Sequence, residues 1–213
     1  KRLLPNRPLH SNKGNNGRAL LCVGSERYTG AALLCAGAVL RTGAGLTTAA
    51  IPGAVKPAFA ALPEAMAIPV NAGKNWDEEA CQTAIALLPK QNAVGVGPGV
   101  GEGTILPLIE AILHAGMPAV LDADALNQIS HSPELLKKLH PNIVLTPHPV
   151  EMARLIGWPV EAILADPIET ARRFAKEWNC VVLLKGATTC IASGERVRLN
   201  TSGNPGLAKG GSG

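Results

Sequence analysis

Several short segments of this sequence carry residues whose types and spacing suit the binding of an anionic ligand. In the first, Gly24-Ser25 ends an apolar run, and small residues are frequent in residues 28–32 just after it. Small residues let a ligand approach the backbone, and the free N–H groups at a helix start attract anions. The same residues also fit a tight turn between a strand and a helix, so this segment alone leaves both interpretations open.

The second segment, residues 95–101, combines four glycines with Pro98. Such a stretch forms a sharply turned surface without large side chains, which fits either a ligand cradle or a plain turn. Its spacing matches neither the G-x-G-x-x-G dinucleotide fingerprint nor a phosphate-binding P-loop.

The third segment places Asp122, Asp124 and Asn127 directly after another apolar run. Carboxylates at such a position commonly orient a magnesium ion, a sugar hydroxyl or a water molecule near the ligand. Either aspartate could instead be a helix cap.

The fourth segment, residues 146–151, holds His148 between two prolines and ends at Glu151. The prolines stiffen the loop and fix the direction of the imidazole, which favours a ligand contact over a purely structural role. Glu151 is expected to cap or anchor the helix that follows.

The last two segments suit a nucleotide phosphate. Lys185 and the hydroxyls of Thr188 and Thr189 follow an apolar run, and residues 210–213 read Gly-Gly-Ser-Gly. Lysine and threonine bind phosphate through charge and hydrogen bonds, and successive backbone N–H groups form an anion-binding nest. A solvated flexible tail is the alternative interpretation of the final glycines.

Apolar runs alternate with helical patterns along the chain, and these elements must position the segments above. Strands are predicted at 19–23, 46–51, 65–70, 93–96, 119–121, 143–145 and 181–184, with a hairpin formed by 188–192 and 196–199. Helices are predicted at 31–42, 77–88, 104–115, 133–139, 150–156 and 168–178. This alternation predicts an α/β fold with a central, mainly parallel sheet and helices on both faces. Ligands bind at the carboxyl ends of the strands in such sheets, where most of these segments lie.

The composition excludes several classes of protein. The 213 residues carry a net charge of +4 without a basic stripe, and only 3% are aromatic, which argues against a nucleic-acid partner. The longest apolar run is too short to span a membrane. The five cysteines are far apart and odd in number, which indicates reduced core thiols and a cytoplasmic location.

Taken together, the motifs resemble one family, the carbohydrate-kinase-like NAD(P)HX dehydratases, where NAD(P)HX denotes hydrated NADH or NADPH. The resemblance is carried by Asn12-Lys13-Gly14, Tyr28-Thr29-Gly30-Ala31-Ala32, Arg41-Thr42-Gly43-Ala44-Gly45-Leu46, Gly97-Pro98-Gly99, Leu121-Asp122-Ala123-Asp124-Ala125-Leu126-Asn127, Leu145-Thr146-Pro147-His148-Pro149, Leu183-Leu184-Lys185-Gly186-Ala187 and Asn204-Pro205-Gly206-Leu207-Ala208. It implies a ribokinase-like fold and the ADP-dependent, or ATP-dependent, dehydration of the S form of NADHX or NADPHX. The ring hydroxyl would first be phosphorylated, with the help of Mg²⁺, and phosphate would then leave.

The resemblance also implies roles for individual residues. It assigns the hydrated nucleotide to Ala31 or Ala32, Gly97, Gly99 and His148. It assigns ADP or AMP to Lys185, Gly186, Ala187, Thr188, Thr189, Gly210, Gly211, Ser212 and Gly213. Asp122, Asp124, Asn127, Glu151 and Asn204 take supporting positions, and no specific metal ligand is assigned.

This sequence departs from the family pattern at three places. Asn12 stands where the family usually has histidine, and Val150 stands where it usually has glycine. The aspartate that in the family follows the glycine-rich loop and acts as the base is absent, because the sequence stops at Gly213. Residues 1–16, an opening rich in proline and asparagine, are expected to be a connecting arm, and residues 17–213 a dehydratase domain without its C-terminal helices.

Two rival functions fit parts of the same pattern. One is a small-molecule kinase of the same fold, which would release a stable phosphorylated product. The other is a non-catalytic nucleotide-binding module, which the absent aspartate favours. The resemblance further implies a homo-oligomer, such as a tetramer, and an NAD(P)HX epimerase domain fused before residue 1.

Overall fold

The structure, a computed structural model, describes residues 6–211 of the chain, and Ser212 and Gly213 lie outside the described residues. The strands within that range are β1 (Arg18–Cys22), β2 (Leu46–Pro52), β3 (Met66–Asn71), β4 (Ala93–Val96), β5 (Ala119–Leu121), β6 (Ile143–Leu145), β7 (Val181–Leu184), β8 (Thr189–Ser193) and β9 (Arg196–Asn200). They form one sheet in the order β3-β2-β1-β4-β5-β6-β7-β8-β9. Strands β1 to β7 pair in parallel, and β8 and β9 extend one edge as an antiparallel hairpin.

The connections between the strands are mostly helical. The α-helices are α1 (Thr29–Thr42), α2 (Glu78–Leu87), α3 (Leu106–His114), α4 (Asp124–Ser130), α5 (Pro149–Ile156), α6 (Val160–Ala165) and α7 (Pro167–Glu177). Short 3-10 helices occur at Lys13–Asn16, Glu26–Tyr28, Gly53–Ala61, Leu88–Lys90, Pro133–Lys138 and Pro205–Leu207. Helix α1 ends where Gly43 adopts a left-handed conformation, which closes the helix through its backbone N–H.

The two faces of the sheet carry different cores because successive strand side chains point to opposite faces. Leu20 and Cys22 face a large cluster formed with the helices that follow β3 to β6. Leu21 and Val23 face a smaller cluster, to which Ala32 and other residues of α1 belong. The edge that carries the strand ends is therefore held rigidly from both sides at β1.

The predicted α/β architecture is confirmed, and the strand predictions agree with the structure to within one or two residues. Three details differ from expectation. Residues 133–139 were expected to be helical, and Pro133–Lys138 forms a 3-10 helix instead. The 3-10 helix at Gly53–Ala61, which contains Pro57, was not predicted. The short helices α4 and α6 were also missed, since each has fewer than two turns to show periodicity.

Candidate functional site

The loops after β1 and β4 are hydrogen-bonded to each other where the strand order reverses. The Gly24 N–H donates to Pro98 O at 2.9 Å, and Ser25 Oγ donates to Gly99 O at 2.8 Å. Strand β1 pairs with β2 on one side and with β4 on the other. The chain therefore adds β2 and β3 on one side of β1 and the later strands on the other side. Open parallel sheets leave a ligand-binding crevice at such a reversal, and these two loops form its floor.

Gly99 packs directly against the start of α1. A Cβ at Gly99 would lie 2.7 Å from the Cβ of Ala31 and 2.9 Å from the Cβ of Tyr28. Ala31 is partly exposed here, whereas Ala32 has no exposed surface and packs beneath Gly24. Of the two alanines, Ala31 is the one that a ligand in the crevice can reach.

Gly97 has a packing role in the same loop. It is buried, its N–H donates to Cys22 O at 3.2 Å, and its φ is +119°. A Cβ at this position would overlap the carbonyl oxygen of Asp122. Glycine is therefore required for the β4 and β5 loops to lie against each other, and Gly97 acts on the site through the shape of the loop.

The two aspartates after β5 point to different partners and do not cap α4. Asp124 Oδ2 accepts the N–H of Gly101 at 2.7 Å. Asn127 Nδ2 lies 3.4 Å from Asp124 Oδ1, and Asn127 Oδ1 accepts from Arg154 at 2.8 Å. This chain of contacts joins the β4 loop to α4 and α5. Asp122 instead faces Lys185 at the end of β7.

His148 and Glu151 form a reciprocal cap at the start of α5. The Nδ1 atom of His148 accepts the backbone N–H groups of Val150 and Glu151, each at 3.2 Å. Glu151 Oε2 accepts the N–H of His148 at 2.8 Å, and Glu151 Oε1 lies 3.4 Å from His148 Nε2. The His148 side chain is 45% exposed, while the Glu151 side chain is only 6% exposed. Glu151 anchors the start of α5, as expected, and the His148 ring is held in this cap while it remains partly exposed.

Lys185 lies between two carboxylates. Its Nζ atom is 2.9 Å from Asp122 Oδ1 and 3.8 Å from Glu151 Oε2. Its backbone N–H donates to Pro147 O at 2.8 Å, which fixes the end of β7 beside the histidine loop. Asp122, His148 and Lys185, which the sequence placed on three separate strand ends, are thus connected through side-chain contacts.

An apolar groove of about 470 Å³ runs from this cluster along one face of the sheet. Pro98, Asp122, Thr146 and Lys185 line its polar end, and the lining continues with Ala19, Leu21, Val23, Cys35, Ala38, Val39, Ala93, Val94, Gly95, Val96, Val120 and Leu183. The β4, β5, β6 and β7 strand ends therefore share one open cavity with α1.

The remaining predicted residues lie further along the chain. Thr189 Oγ1 donates to Gly186 O at 3.5 Å in the exposed turn formed by residues 186–188. Asn204 caps the Pro205–Leu207 turn by accepting the N–H of Gly206 at 2.9 Å. Gly211 lies against Leu34, because a Cβ there would be 3.1 Å from Leu34 Cδ1. Leu34 is one helical turn after Ala31, so Gly211 packs against the N-terminal half of α1. Ser212 and Gly213 are outside the described residues.

Sequence reasoning missed three side chains that support the site. Trp76 Nε1 donates to Gly24 O at 3.0 Å from a buried position, and Gln128 bonds the backbone of Gly103 and Ile105. Arg154 completes the contact with Asn127. Each joins segments at least 25 residues apart or in different elements, so no local pattern could have identified it.

No ready-made metal cage is found in the part of the chain that the structure describes, since no group of three or more His, Cys, Asp or Glu side chains is suitably arranged. In the same range, no helix is both long and apolar enough to cross a lipid bilayer.

Comparison with known proteins places the chain in context. A family model described as NAD(P)H-hydrate dehydratase matches residues 19–213. A relative from Moorella thermoacetica, the bifunctional NAD(P)H-hydrate repair enzyme Nnr, is 39% identical over 216 residues, which cover 99% of this chain. The chain spans 41% of the length of that relative.

Solved structures agree with the sequence comparison. The ADP/ATP-dependent NAD(P)H-hydrate dehydratase from Bacillus subtilis, co-crystallised with ATP/Mg²⁺, superimposes with a TM-score of 0.81 at 33% identity. The match covers 98% of this chain and 72% of that one. A ribokinase-like superfamily protein from Enterococcus faecalis superimposes with a TM-score of 0.78 at 27% identity, covering 97% of this chain and 70% of that one. The predicted ribokinase-like fold is confirmed.

Proposed function

Since the chain belongs to the NAD(P)H-hydrate dehydratase family, we propose that it forms the dehydratase part of an NAD(P)H-hydrate repair enzyme. The reaction is the dehydration of the S form of NADHX or NADPHX to NADH or NADPH, with ADP or ATP as phosphoryl donor. This activity makes the protein a hydro-lyase that binds two nucleotides.

One observation carries the proposal most directly: a single groove extends from Pro98 in the β4 loop to Asp122 and Lys185, and Lys185 is linked to His148 through Glu151. The hydrated nucleotide fits the crevice side, next to Ala31, Gly99 and the partly exposed ring of His148. The adenine nucleotide fits the Gly186–Thr189 turn and the glycine-rich segment 210–213, whose backbone N–H groups suit phosphate. The two ligands would then meet near the carboxyl ends of β5 and β7.

The chemistry follows from the leaving group. Hydroxide leaves poorly, so phosphorylation of the ring hydroxyl allows phosphate to depart while the carbon–carbon double bond re-forms. With ADP as donor, the β-phosphoryl group moves to the hydroxyl oxygen and AMP remains. The protein mainly positions the reactants and neutralises charge, as in other phosphoryl transfers. The base on the hydroxyl is, in the family, an aspartate directly after the glycine-rich loop, and it is not among these 213 residues.

The residues present fit a magnesium ion that arrives with the nucleotide. Mg²⁺ is usually held by one or two carboxylates, substrate phosphates and water, rather than by a complete protein cage. Asp122 and Glu151 supply carboxylates beside the site, with side chains 29% and 6% exposed. When bound, the ion supplies positive charge to the phosphates. Asp122, the more exposed of the two carboxylates, would orient its water molecules.

The bifunctional relative supports a further part of the proposal. An NAD(P)HX epimerase domain would precede this one in the natural protein, and residues 1–16 would connect the two. We also propose a cytoplasmic homo-oligomer, such as a tetramer. Light scattering of the full-length protein measures the assembly, and the gene sequence upstream of Lys1 decides the fusion.

The activity is tested by incubating the full-length protein with NADHX and ADP, and separately with ATP. We expect the near-ultraviolet absorbance of the reduced nicotinamide to return, with one AMP and one phosphate formed per NADH when ADP is the donor. A stable phosphorylated hydrate without NADH would indicate a small-molecule kinase. Binding of both nucleotides without any turnover would indicate a non-catalytic module.

A further inference from the structure

Glu151 is the most buried charged group of the site. Among the described lysine and arginine side chains, Lys185 is the one that lies within 4 Å of it. The Glu151 side chain is 6% exposed, and the Lys185 Nζ atom lies 3.8 Å from its Oε2 atom. Lys185 is itself fixed, since its ammonium group is 2.9 Å from Asp122 Oδ1 and its side chain is 23% exposed. A buried carboxylate is tolerated only when it is paired and hydrogen-bonded, and Lys185 is the cation that pairs with Glu151.

Glu151 in turn holds the imidazole of His148. Nδ1 of this ring accepts two backbone N–H groups, so in the neutral ring the proton is on Nε2. Nε2 lies 3.4 Å from Glu151 Oε1, and the other carboxylate oxygen accepts the His148 backbone N–H at 2.8 Å. The tautomer and the direction of the ring are both set by the cap in which Glu151 takes part.

We propose that Lys185 is a positioning residue for the hydrated nicotinamide nucleotide: it holds Glu151, and Glu151 holds His148 in the orientation that contacts this nucleotide. The inference rests on the proposed function, and it differs from the role at the adenine nucleotide that the resemblance implies for Lys185. The geometry favours it because Lys185 would have to leave two carboxylates, one of them buried, in order to bind a phosphate.

The test compares Lys185→Met with Lys185→Arg in the full-length protein. For Lys185→Met we expect the KM for NADHX to rise about 10- to 100-fold, the usual cost of a misplaced contact group, and the KM for ADP to change less than about twofold. Lys185→Arg keeps the charge and is expected to recover most of the NADHX affinity. Lys176→Met is the matched control, because Lys176 pairs with Glu195 on the remote surface of α7. It should leave both KM values unchanged.

Two outcomes overturn the inference. One is a rise in the KM for ADP with an unchanged KM for NADHX, which would make Lys185 a phosphate ligand. The other is an equal rise in both values, which would remove any specific link to His148. If Lys185→Met fails to fold, Glu151→Gln/Lys185→Met replaces it, since this double variant leaves no unpaired buried charge. The double variant should raise the KM for NADHX no more than Glu151→Gln alone. A larger rise, equal to the product of the two single-variant effects, would contradict the coupling of Lys185 to Glu151.

A measurement that does not depend on turnover separates this inference from the proposed function. Nitrogen NMR of the histidine rings should show the Nε2–H tautomer for His148 in the unmodified protein and a mixture of tautomers in Lys185→Met. An unchanged His148 signal in that variant overturns the inference even if the enzyme is active. Absence of dehydration by the unmodified full-length protein contradicts the proposed function instead.

Discussion

His148 combines a structural contact with a partly exposed ring, and the two can be separated by substitution. Nδ1 is engaged by the backbone of α5, so a ligand can form a hydrogen bond only with Nε2, which lies 3.4 Å from Glu151 Oε1. Asparagine is among the best N-cap residues and can replace the cap without supplying an imidazole.

We expect His148→Ala to lower the free energy of unfolding by about 1 kcal/mol through loss of the cap. It should also weaken NADHX binding about tenfold, the effect of one lost hydrogen bond, and ADP binding much less. His148→Asn should restore the stability and leave the NADHX defect. Denaturant unfolding and ligand titration measure the two quantities. An equal loss of affinity for both nucleotides would count against His148 as a contact of the hydrate.

Gly99 is a second residue that both packs against a neighbouring element and borders the proposed site of the hydrated nucleotide. Its φ is +73°, and a Cβ would be 2.7 Å from the Cβ of Ala31. Gly116 is a matched control, because its φ is +64° and a Cβ there would meet nothing within 4 Å. Gly116→Ala should cost about 1–2 kcal/mol of stability from backbone strain alone. Gly99→Ala should cost a further ~1–3 kcal/mol from overpacking and should reduce NADHX affinity. Similar losses in the two variants would show that the Gly99 contact with α1 is not tight.

Much of the site was predictable residue by residue, because small and polar residues stand out when they follow apolar runs. Asp122, His148 and Lys185 were found in this way, and the structure joins them through Glu151. Their pairing was not predictable, since it depends on the lateral order of β5, β6 and β7. Arg154 carried no signal, because an arginine on a helix usually faces solvent.

At the scale of elements, the turn between β5 and α4 stores backbone strain. Ala123 has φ 50° and ψ −116°, a conformation that residues with a Cβ rarely adopt. It separates Asp122, which turns toward Lys185, from Asp124, which turns toward Gly101. The strained turn is what lets two acidic residues on either side of Ala123 contact two different loops.

Ala123→Gly is therefore expected to raise the free energy of unfolding by about 1 kcal/mol, because the strain relieved exceeds the entropy cost of glycine. Ala115→Gly is the control, since Ala115 is exposed with an ordinary φ of −76° and should lose about 0.5–1 kcal/mol. Urea unfolding of the three proteins gives the comparison. Destabilisation by both substitutions would show that Ala123 is not strained.

Buried strands were easier to predict than short helices for a physical reason. A buried parallel strand is apolar on both faces, so β4, β6 and the part of β1 after Arg18 appear as uninterrupted apolar runs. Helix α4 has seven residues and no side-chain cap, and it overlaps the acidic motif, so its periodicity could not be recognised. Pro133–Lys138 contains the apolar residues expected of an α-helix, but it forms a 3-10 helix that begins at Pro133.

At the scale of the whole molecule, the burial of the cysteine thiols shows how completely the sheet is covered. All five cysteines are unpaired, and Cys35 is the one with intermediate exposure. Burial raises the pKa of the Cys180 thiol from 9.0 to about 12. Burial, followed by the neighbouring Cys81, also raises the pKa of Cys22. The expectation of reduced core thiols agrees with this arrangement.

These shifts predict that stability falls at alkaline pH. The unfolded Cys180 thiol ionises near pH 9.0, whereas the folded one stays protonated up to about pH 12. Its contribution is complete below pH 9.0 and is lost as the pH rises through this interval. In Cys180→Ala, the decrease of unfolding free energy with pH should be smaller by about 1.4 kcal/mol per pH unit, the value for one proton. Urea unfolding with reductant at several alkaline pH values measures it, and an unchanged slope would contradict the burial of this thiol.

The proposed function places phosphoryl transfer to a ring hydroxyl at the carboxyl edge of the sheet. The most direct test uses NADHX that carries a heavy oxygen isotope in the ring hydroxyl, with the full-length protein and ADP. Because phosphorylation precedes loss of the oxygen, the label is predicted to appear in the released phosphate, which mass spectrometry detects. Recovery of the label in water, with unlabelled phosphate, would contradict the account.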